Sequence, residues 1–299
     1  PKVNGGDMRT RGWEVQVDYN HSFNKDFRIY ATATLADSKA TITDWGTNTG
    51  AITGYYVGKE WGEIWGFKTA DAYFTAEEAA NGVLLADGSR VGINEVYQKA
   101  LYKSGFRYGE GDVKYEDLNG DGKVDSGKGT IDDHGDLMRI GNTTPRYEYS
   151  LRAGLQWKGL DFSAQFTYQI GGKVYNANAM HSMMGNKDNQ LGENRLSYVK
   201  DCWQAYNINS SGDLYLVTDP QELAALNKNA KYALPYSEYG ICSSDFIENG
   251  SYLRLHTLTL GYTLPENWLQ KVKISNARVY ATAGNVFCID AYSGLDPDV

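Results

Sequence analysis

Apolar and polar residues alternate along six stretches of this chain. The stretches are 13–19, 27–35, 147–157, 160–170, 258–264 and 277–283. A period of two places every second side chain on the same face of an extended strand. Lys158 and Gly159 separate the two longest stretches and predict a tight turn between them. The pattern therefore predicts an all-β protein with at least six antiparallel strands.

The stretch 147–157 is the most informative of the six. Its length, about 11 residues, is what a tilted strand needs to cross a bilayer, whereas strands of globular proteins average about 5 or 6 residues. Its apolar face begins with Tyr147 and Tyr149 and ends with Trp157. Aromatic residues at both ends match the two girdles of a membrane β-barrel. A soluble β-sandwich with aromatics at both ends of its inner face is the alternative.

The connections between the strands differ greatly in length. The links at 158–159, 20–26 and 265–273 are short, whereas 39–145 and 172–250 are far longer than loops in compact domains. Outer-membrane barrels have short turns at one end and long extracellular loops at the other. This asymmetry favours an antiparallel transmembrane β-barrel over the sandwich.

Helix signals inside the long connections predict that these loops are partly structured. Thr75 and Glu78 form a capping box that opens a short helix, predicted to run through Leu85. Farther along, Asp219 is a candidate N-cap, followed by a proline and a glutamate in the first turn of a second helix.

Composition narrows the class of protein. The 299 residues are 41% hydrophobic, enough for a large folded core. They carry 29 Lys and Arg against 37 Asp and Glu, a net charge of -8, so nucleic acid is not an expected partner. No apolar run approaches the roughly 18 residues of a membrane-spanning helix. The 23 Tyr, 7 Trp and 9 Phe suit the aromatic girdles of a barrel.

Residues 117–125, DLNGDGKVD, resemble the first half of an EF-hand calcium loop. Position 12 of such a loop is normally a glutamate but is Lys128 here, so the closing carboxylate must come from elsewhere. Asp125, Asp132 and Asp133 are the candidates. The metal-ligand prediction comprises Asp117, Asn119, Asp121, the Lys123 carbonyl, Asp125 and Asp133. A loop of Asx turns that binds no metal is the alternative.

The segment GKEWGEIWGF, residues 58–67, combines tryptophans with regularly spaced glycines. Trp61 and Trp65 are the candidate substrate-binding residues, because such a run can line a ligand path. The alternative is that both rings pack inside a folded loop.

Signatures of catalysis are weak. The sequence has four His, no G-x-S-x-G nucleophile elbow and no phosphate-cradling glycine loop. We therefore predict that the chain is not an enzyme. The three cysteines are interpreted as unpaired apolar side chains, with a Cys202–Cys242 disulfide as the alternative.

Six motifs, in the same order and spacing, resemble the C-terminal part of SusC/RagA-like TonB-dependent transporters of Bacteroidetes. They are DLNGDGKVD (117–125), DDHGDLMRIGNTTPRYEY (132–149), FSAQFTYQIGGKVYN (162–176), SYLRLHTLTLGYTLP (251–265), ARVYATAGNVF (277–287) and YSGLDPD (292–298). GKEWGEIWGF fits the glycine-punctuated loop ahead of them. The resemblance spans nearly the whole chain.

The resemblance implies that residues 1–299 are part of a 22-stranded outer-membrane barrel. The N-terminal plug, the TonB-contacting segment, the first strands and the final strand are expected to lie outside this chain. It further implies import of glycans or peptides under a SusD-like lipoprotein lid, driven through TonB, with outer-membrane lipid around the barrel. The family's acidic loop has a shorter spacing to its closing Asp, which is expanded here. Calcium is the only candidate cofactor.

A soluble, calcium-stabilised β module that binds glycans through loop aromatics is the alternative function. It predicts a core shared between two sheets. The transporter hypothesis instead predicts apolar strand faces that meet lipid, with polar faces bearing Glu148, Arg152 and Gln156 toward a wet lumen.

Overall fold

The fold is described from a computed structural model, which covers residues 5–47, 49–101, 107–184, 197–234, 242–270 and 273–298. The strands in chain order are β1 (Gly6–Asn24), β2 (Phe27–Trp45), β3 (Glu63–Phe67), β4 (Thr69–Tyr73), β5 (Val83–Leu84), β6 (Arg90–Val91), β7 (Val113–Tyr115), β8 (Leu137–Asn142), β9 (Tyr147–Trp157), β10 (Leu160–Ile170), β11 (Lys173–Tyr175), β12 (Tyr206–Ile208), β13 (Leu214–Leu216), β14 (Ile247–Asn249), β15 (Tyr252–Thr263) and β16 (Arg278–Asp290). The α-helices are α1 (Ala76–Asn81), α2 (Ala177–Met184), α3 (Pro220–Asn227) and α4 (Glu266–Leu269). Short π- and 3₁₀-helical turns lie at Ile93–Tyr97, Lys99–Leu101, Ser197–Asp201 and Ser244–Phe246.

Six long strands form one antiparallel sheet in the order β1-β2-β9-β10-β15-β16. These are the six strands that the alternating pattern predicts, so the all-β, antiparallel prediction is confirmed. β1 and β2 are longer than predicted, at 19 residues each, because their pairing continues to Gly6 opposite Trp45. In the described residues the sheet stays open, with β1 and β16 at its edges.

The register of this sheet collects the apolar side chains on one face. Phe27 and Trp157 are paired, and Leu155 pairs with both Ile29 and Phe162. This face is exposed rather than buried. The exposed fraction is 60% for Val17, 41% for Leu151 and 67% for Val279.

The opposite face of the sheet is polar. Thr32 donates to Asp18 across β1 and β2 at 2.7 Å, and Arg278 and Asp161 form an ion pair between β16 and β10 at 2.5 Å. One exposed apolar face and one polar face is the arrangement of a barrel wall between lipid and a wet lumen.

A β-bulge in β15 lets both halves of that strand contribute to the apolar face. Gln165 pairs with Thr257 and Phe166 pairs with Leu255, so His256 is the extra residue. Leu258 therefore shares a face with Leu255, although the two are three positions apart in the sequence.

The connections 46–146 and 171–251 fold together into a second part of the molecule, which we call the loop unit. Its elements are small two-stranded sheets, such as β3 with β8 and β4 with β7, and short helices. It contains most of the buried core: Ile52, Tyr56, Phe67, Phe74, Val83, Ile93, Tyr97, Tyr108, Val113, Tyr115, Val124, Leu137, Ala179, Cys202, Ala233 and Phe246. Cys242 is a free thiol, so the alternative Cys202–Cys242 disulfide is not formed.

The predicted helices form with corrected ends. Thr75 and Glu78 make both bonds of the capping box, but α1 ends at Asn81 because Gly82 turns the chain at φ +82° into β5. The prediction that α1 reaches Leu85 is therefore wrong. Asp219 caps α3 as predicted. None of the helices in the described part of the chain is long and apolar enough to span a membrane.

Two of the predicted turns also differ. The link 20–26 is tighter than expected, because β1 continues to Asn24 and only Lys25 and Asp26 turn the chain. The link 265–273 contains α4 rather than a simple turn.

Candidate functional site

Three aromatic rings line up at the loop end of β2. The ring centroids of Trp45 and Tyr55 are 4.7 Å apart. Those of Tyr55 and Trp61 are 6.0 Å apart, with the ring planes only 11° from parallel. Half of the Trp61 side chain is exposed, at 50%. We call these three residues the aromatic shelf, because the exposed, nearly parallel rings of Tyr55 and Trp61 offer a flat contact surface to a ligand, with the Trp45 ring tilted by 58° beside them.

The register of β1 and β2 places the shelf on the polar side of the sheet. A shift in pairing between Asp7 and Met8 sets Ile42 opposite Met8 and Trp45 opposite Gly6. Gly6 and Met8 share the polar face of β1, since they are two residues apart. A Cβ on Gly6 would come within 2.5 Å of the Trp45 ring, so glycine leaves room for it.

The shelf borders a shallow pocket of about 310 Å³. Its lining residues are Ile42, Tyr55, Lys59, Glu60, Trp61, Gly62, Glu63 and Thr143. The Lys59 ammonium donates to the carbonyls of Ile52 at 3.0 Å and Gly54 at 2.6 Å, and it lies 6.0 Å from the Tyr55 ring centroid. Burial lowers the pKa of Lys59. The pocket thus combines aromatic faces with charged groups of both signs.

Glu63 fixes the segment that carries the shelf. Its carboxylate accepts hydrogen bonds from the Tyr56 hydroxyl at 2.5 Å, Trp65 Nε1 at 3.0 Å and the Glu60 backbone N–H at 2.9 Å. Arg139 adds an ion pair at 3.2 Å, and only 4% of the Glu63 side chain is exposed. Burial raises the pKa of the Glu63 carboxyl, but these bonds outweigh burial and the net shift is downward. Burial and the bond to Glu63 raise the pKa of Tyr56 to about 12.

Glu60, the residue before Trp61, ties the shelf to the sheet. Its carboxylate lies 2.6 Å from Lys39 of β2 and 3.0 Å from Arg139 of β8. The hydrogen bond from Lys39, together with that from Arg139, lowers the pKa of the Glu60 carboxyl.

The structure places the two predicted substrate-binding tryptophans in different environments. Trp61 is exposed on the shelf, whereas Trp65 is partly buried against the loop-unit core, with its ring 5.5 Å from that of His134. Ligand contact stays a prediction, and the geometry favours Trp61 for it. The sequence analysis did not single out Trp45 and Tyr55. Trp45 lies beyond the alternating run of β2, and only the pairing of β2 with β1 brings it beside Tyr55.

The acidic loop at 117–125 is held mainly by its own side chains. Side-chain oxygens accept backbone N–H groups farther along the loop: Asp117 from Gly120 at 2.7 Å and Gly122 at 2.8 Å, Asn119 from Asp121 at 2.9 Å, and Asp121 from Lys123 at 3.1 Å. Such Asx-type bonds favour tight turns.

Lysine ammonium groups lie among the predicted metal ligands. Lys123 Nζ is 2.8 Å from the carboxylate of Asp125 and 3.4 Å from that of Asp121. Lys128 Nζ lies 3.3 Å from Asp133. The hydrogen bond from Lys123 lowers the pKa of Asp125, while the bond to Asp125 raises the pKa of Lys123.

Asp136 closes this loop and was missed by the sequence reasoning. Its carboxylate is fully buried and accepts the backbone N–H groups of Leu118 at 2.8 Å, Asn119 at 3.4 Å and Asp125 at 2.7 Å. Burial raises the pKa of this carboxyl. The available signal was its place beside the acidic residues at 132 and 133.

The donor atoms of the loop suit calcium, because hard carboxylate and amide oxygens are the ligands that this ion prefers. They are not assembled into a ligand set, however. In the described residues, no group of three or more His, Cys, Asp or Glu side chains is placed to hold a metal ion. Calcium at this loop therefore stays a prediction.

Comparison with known proteins finds relatives among TonB-dependent receptors. TonB-dependent receptor P3 of Formosa agariphila is 22% identical over 99% of this chain. TonB-dependent receptor SusC of Bacteroides thetaiotaomicron is 32% identical over 62% of it. This chain is related to a part of the SusC/RagA-like TonB-dependent receptors. It spans 26% of the length of receptor P3 and 15% of that of SusC. No family model matches the chain.

Solved structures agree with a SusC/RagA-like fold. The RagAB peptide transporter matches with a TM-score of 0.62 at 20% identity, and the RagAB peptide importer in its closed-closed state with 0.63 at 21%. Each match covers 99% of this chain and 27% of the solved chain. These relatives are receptors and transporters, in agreement with the prediction that the chain is not an enzyme.

Proposed function

We propose that this SusC/RagA-like chain supplies wall strands and loops to an outer-membrane, TonB-dependent importer of oligomeric nutrients. The observation that carries the proposal is the six-stranded sheet, whose continuous apolar face is exposed while its opposite face is polar. A soluble protein rarely exposes an apolar patch of that extent. A bilayer on one side and a wet lumen on the other account for both faces.

The proposed orientation follows from the connections. The short links lie at one end of the sheet and the loop unit at the other, so the loop unit is extracellular and the short links are periplasmic. We propose a SusD-like lipoprotein as the partner above the loop unit. Coupling to TonB passes through a part of the transporter outside these residues.

The aromatic shelf is the proposed substrate contact. It lies on the polar, lumen side of β2, where an imported molecule passes. An oligosaccharide fits the shelf better than an oligopeptide. The C–H face of a sugar ring stacks directly on an exposed aromatic ring, whereas a peptide needs an apolar side chain to make the same contact. Lys59 and Glu60 border the same pocket and supply polar contacts.

The alternative, a soluble calcium-stabilised β module, fits the fold less well. It predicts a core shared between two sheets. The buried cluster of the described residues instead lies in the loop unit, and the apolar face of the large sheet is exposed.

Membrane fractionation of the full-length parent protein tests the proposal. We expect recovery from the outer membrane only with detergent, together with a SusD-like lipoprotein. Recovery in the soluble fraction without detergent contradicts the barrel.

Uptake assays on the same protein test the shelf. The double variant Y55A/W61A is expected to raise the half-saturating oligosaccharide concentration about tenfold, equivalent to about 1.4 kcal/mol. Y206A is the control, since Tyr206 is an exposed aromatic elsewhere in the loop unit. Equal loss in both variants argues against a role for the shelf in binding.

A further inference from the structure

Each of the three short links of the large sheet carries an exposed lysine. Lys25 lies between β1 and β2, Lys158 between β9 and β10, and Lys273 between β15 and β16. We call these three residues the lysine row. All three lie at the same end of the sheet, opposite the loop unit.

Aromatic side chains of the apolar face lie directly behind the lysine row. The rings of Phe23 and Phe27 are 5.1 Å apart, and Phe27 pairs with Trp157. Lys158 Nζ lies 5.7 Å from the centroid of the Trp157 ring. The order from the middle of the sheet outward is thus aliphatic, aromatic, then cationic.

The lysine row is not neutralised by the chain. Within the described residues, none of the three lysines forms an ion pair, and the nearby Asp161 is already paired with Arg278. Asp26 and Glu266 are the acidic groups left at this end. The three lysines and Arg28 outnumber these two carboxylates, so this end of the sheet carries a net positive charge.

Local backbone geometry does not explain why these positions are lysine. Lys158 has φ +46° and Lys273 has φ +58°. Glycine or asparagine adopts this left-handed conformation more readily than lysine. The cationic side chain, rather than the backbone conformation of the turn, therefore explains the lysine at these positions.

We propose that the lysine row binds the phosphate groups of anionic glycerophospholipids, with Phe27 and Trp157 at the depth of the glycerol backbone. Aromatic rings favour the membrane interface, and each lysine near an anionic lipid surface adds attraction. The inference rests on the proposed function, because it requires the apolar face to meet a bilayer with the short links at its periplasmic leaflet.

Fluorescence quenching tests the lysine row in the full-length protein, reconstituted into phosphatidylcholine vesicles. The vesicles contain either brominated phosphatidylglycerol or the same fraction of brominated phosphatidylcholine. The Trp157 contribution is the difference between the parent protein and W157F. We expect brominated phosphatidylglycerol to occupy the Trp157 site at least about fivefold more readily, since one lysine near an anionic surface contributes roughly that factor.

The triple variant K25Q/K158Q/K273Q is expected to lose this preference. K99Q/K200Q/K228Q, which removes three exposed lysines of the loop unit, is expected to keep it. Equal quenching of Trp157 by the two brominated lipids in the parent protein overturns the proposal that the lysine row binds anionic lipids, but not the proposal of a membrane wall. No quenching by either lipid overturns the membrane-wall proposal itself.

Discussion

The large sheet and the loop unit use their apolar residues in opposite ways. In the sheet, Val17, Leu151 and Val279 are exposed on one continuous face. In the loop unit, Phe67 and Phe74 are fully buried among other side chains of the same chain. The loop unit therefore has its own core, whereas the apolar face of the sheet needs a partner that the chain does not supply.

This difference shows that hydrophobicity alone does not determine whether a residue is buried or exposed. Both regions are rich in aromatic and aliphatic residues. Alternation along the long strands collects these residues on one face of the sheet, and in the described residues that face is exposed. Irregular loops with glycine turns can fold back and enclose their apolar groups. The following predictions test this contrast, from the largest expected effect to the smallest.

Phe67→Ala should unfold the loop unit while the sheet stays paired. Phe67 is fully buried, with its ring 5.3 Å from that of Tyr115, and such truncations cost about 3–5 kcal/mol. Hydrogen exchange of the full-length protein in detergent measures protection in both regions. Phe23→Ala, at an exposed position, is the matched control. Equal loss of protection in sheet and loop unit contradicts two separately supported regions.

Leu151→Arg should impair membrane assembly, whereas Ser150→Arg on the opposite face should not. An arginine on the lipid face near the middle of a barrel costs about 2–4 kcal/mol. The readout is the fraction of full-length protein that becomes heat-modifiable in the outer membrane. If the two variants assemble equally, the apolar face does not meet lipid.

Calcium at about 100-fold above its Kd should stabilise the protein by about 2.7 kcal/mol if Asp117, Asn119 and Asp121 bind it. The measurement is the Tm of the loop unit with calcium and with a chelator. Asp121→Ala, which removes the ligand oxygens of that position, is expected to abolish the difference. If the Tm of the parent protein is the same with calcium and with the chelator, the loop is a set of Asx turns without metal.

Asp136→Ala should loosen the loop at 117–125 by about 1–3 kcal/mol, because it leaves buried N–H groups without an acceptor. Asp136→Asn retains an acceptor oxygen and should cost less. Hydrogen exchange at Leu118 and Asp125 reports the change. Unaltered exchange in the alanine variant shows that Asp136 does not fasten this loop.

Acid should release the aromatic shelf through Glu60. Its folded-state pKa is lowered by Lys39 and Arg139, so its contribution is fully present above the ordinary glutamate pKa of about 4.3 and is lost as pH falls through the folded value. A ¹⁹F label on Trp61 reports the change. The Glu60→Gln variant should show no such acid transition, and an identical transition in both assigns it to another group.

Much of the sheet could be predicted from sequence, since a period of two fixes both the strands and their faces. The bulge at His256 is a partial exception: the spacing of Leu253, Leu255 and Leu258 signals a change of phase, but pairing with β10 and β16 was needed to locate it.

The candidate site was less predictable. Trp61 was found from its local motif, but Trp45, Tyr55 and Asp136 were not. Trp45 and Tyr55 become important through their ring contact, and Asp136 through the hydrogen bonds that it accepts from Leu118 and Asn119. Composition carries no record of such contacts.

The sequence by itself determined the six antiparallel strands, their apolar faces, the capped helices and the resemblance to TonB-dependent receptors. These follow from local periodicity and short motifs, which depend on neighbours only a few residues away. Tertiary structure decided that Trp61 is exposed and Trp65 packed, that Trp45 joins the shelf, and that Asp136 closes the acidic loop. Burial and pairing across long separations set these outcomes, because they depend on which distant segments share one core.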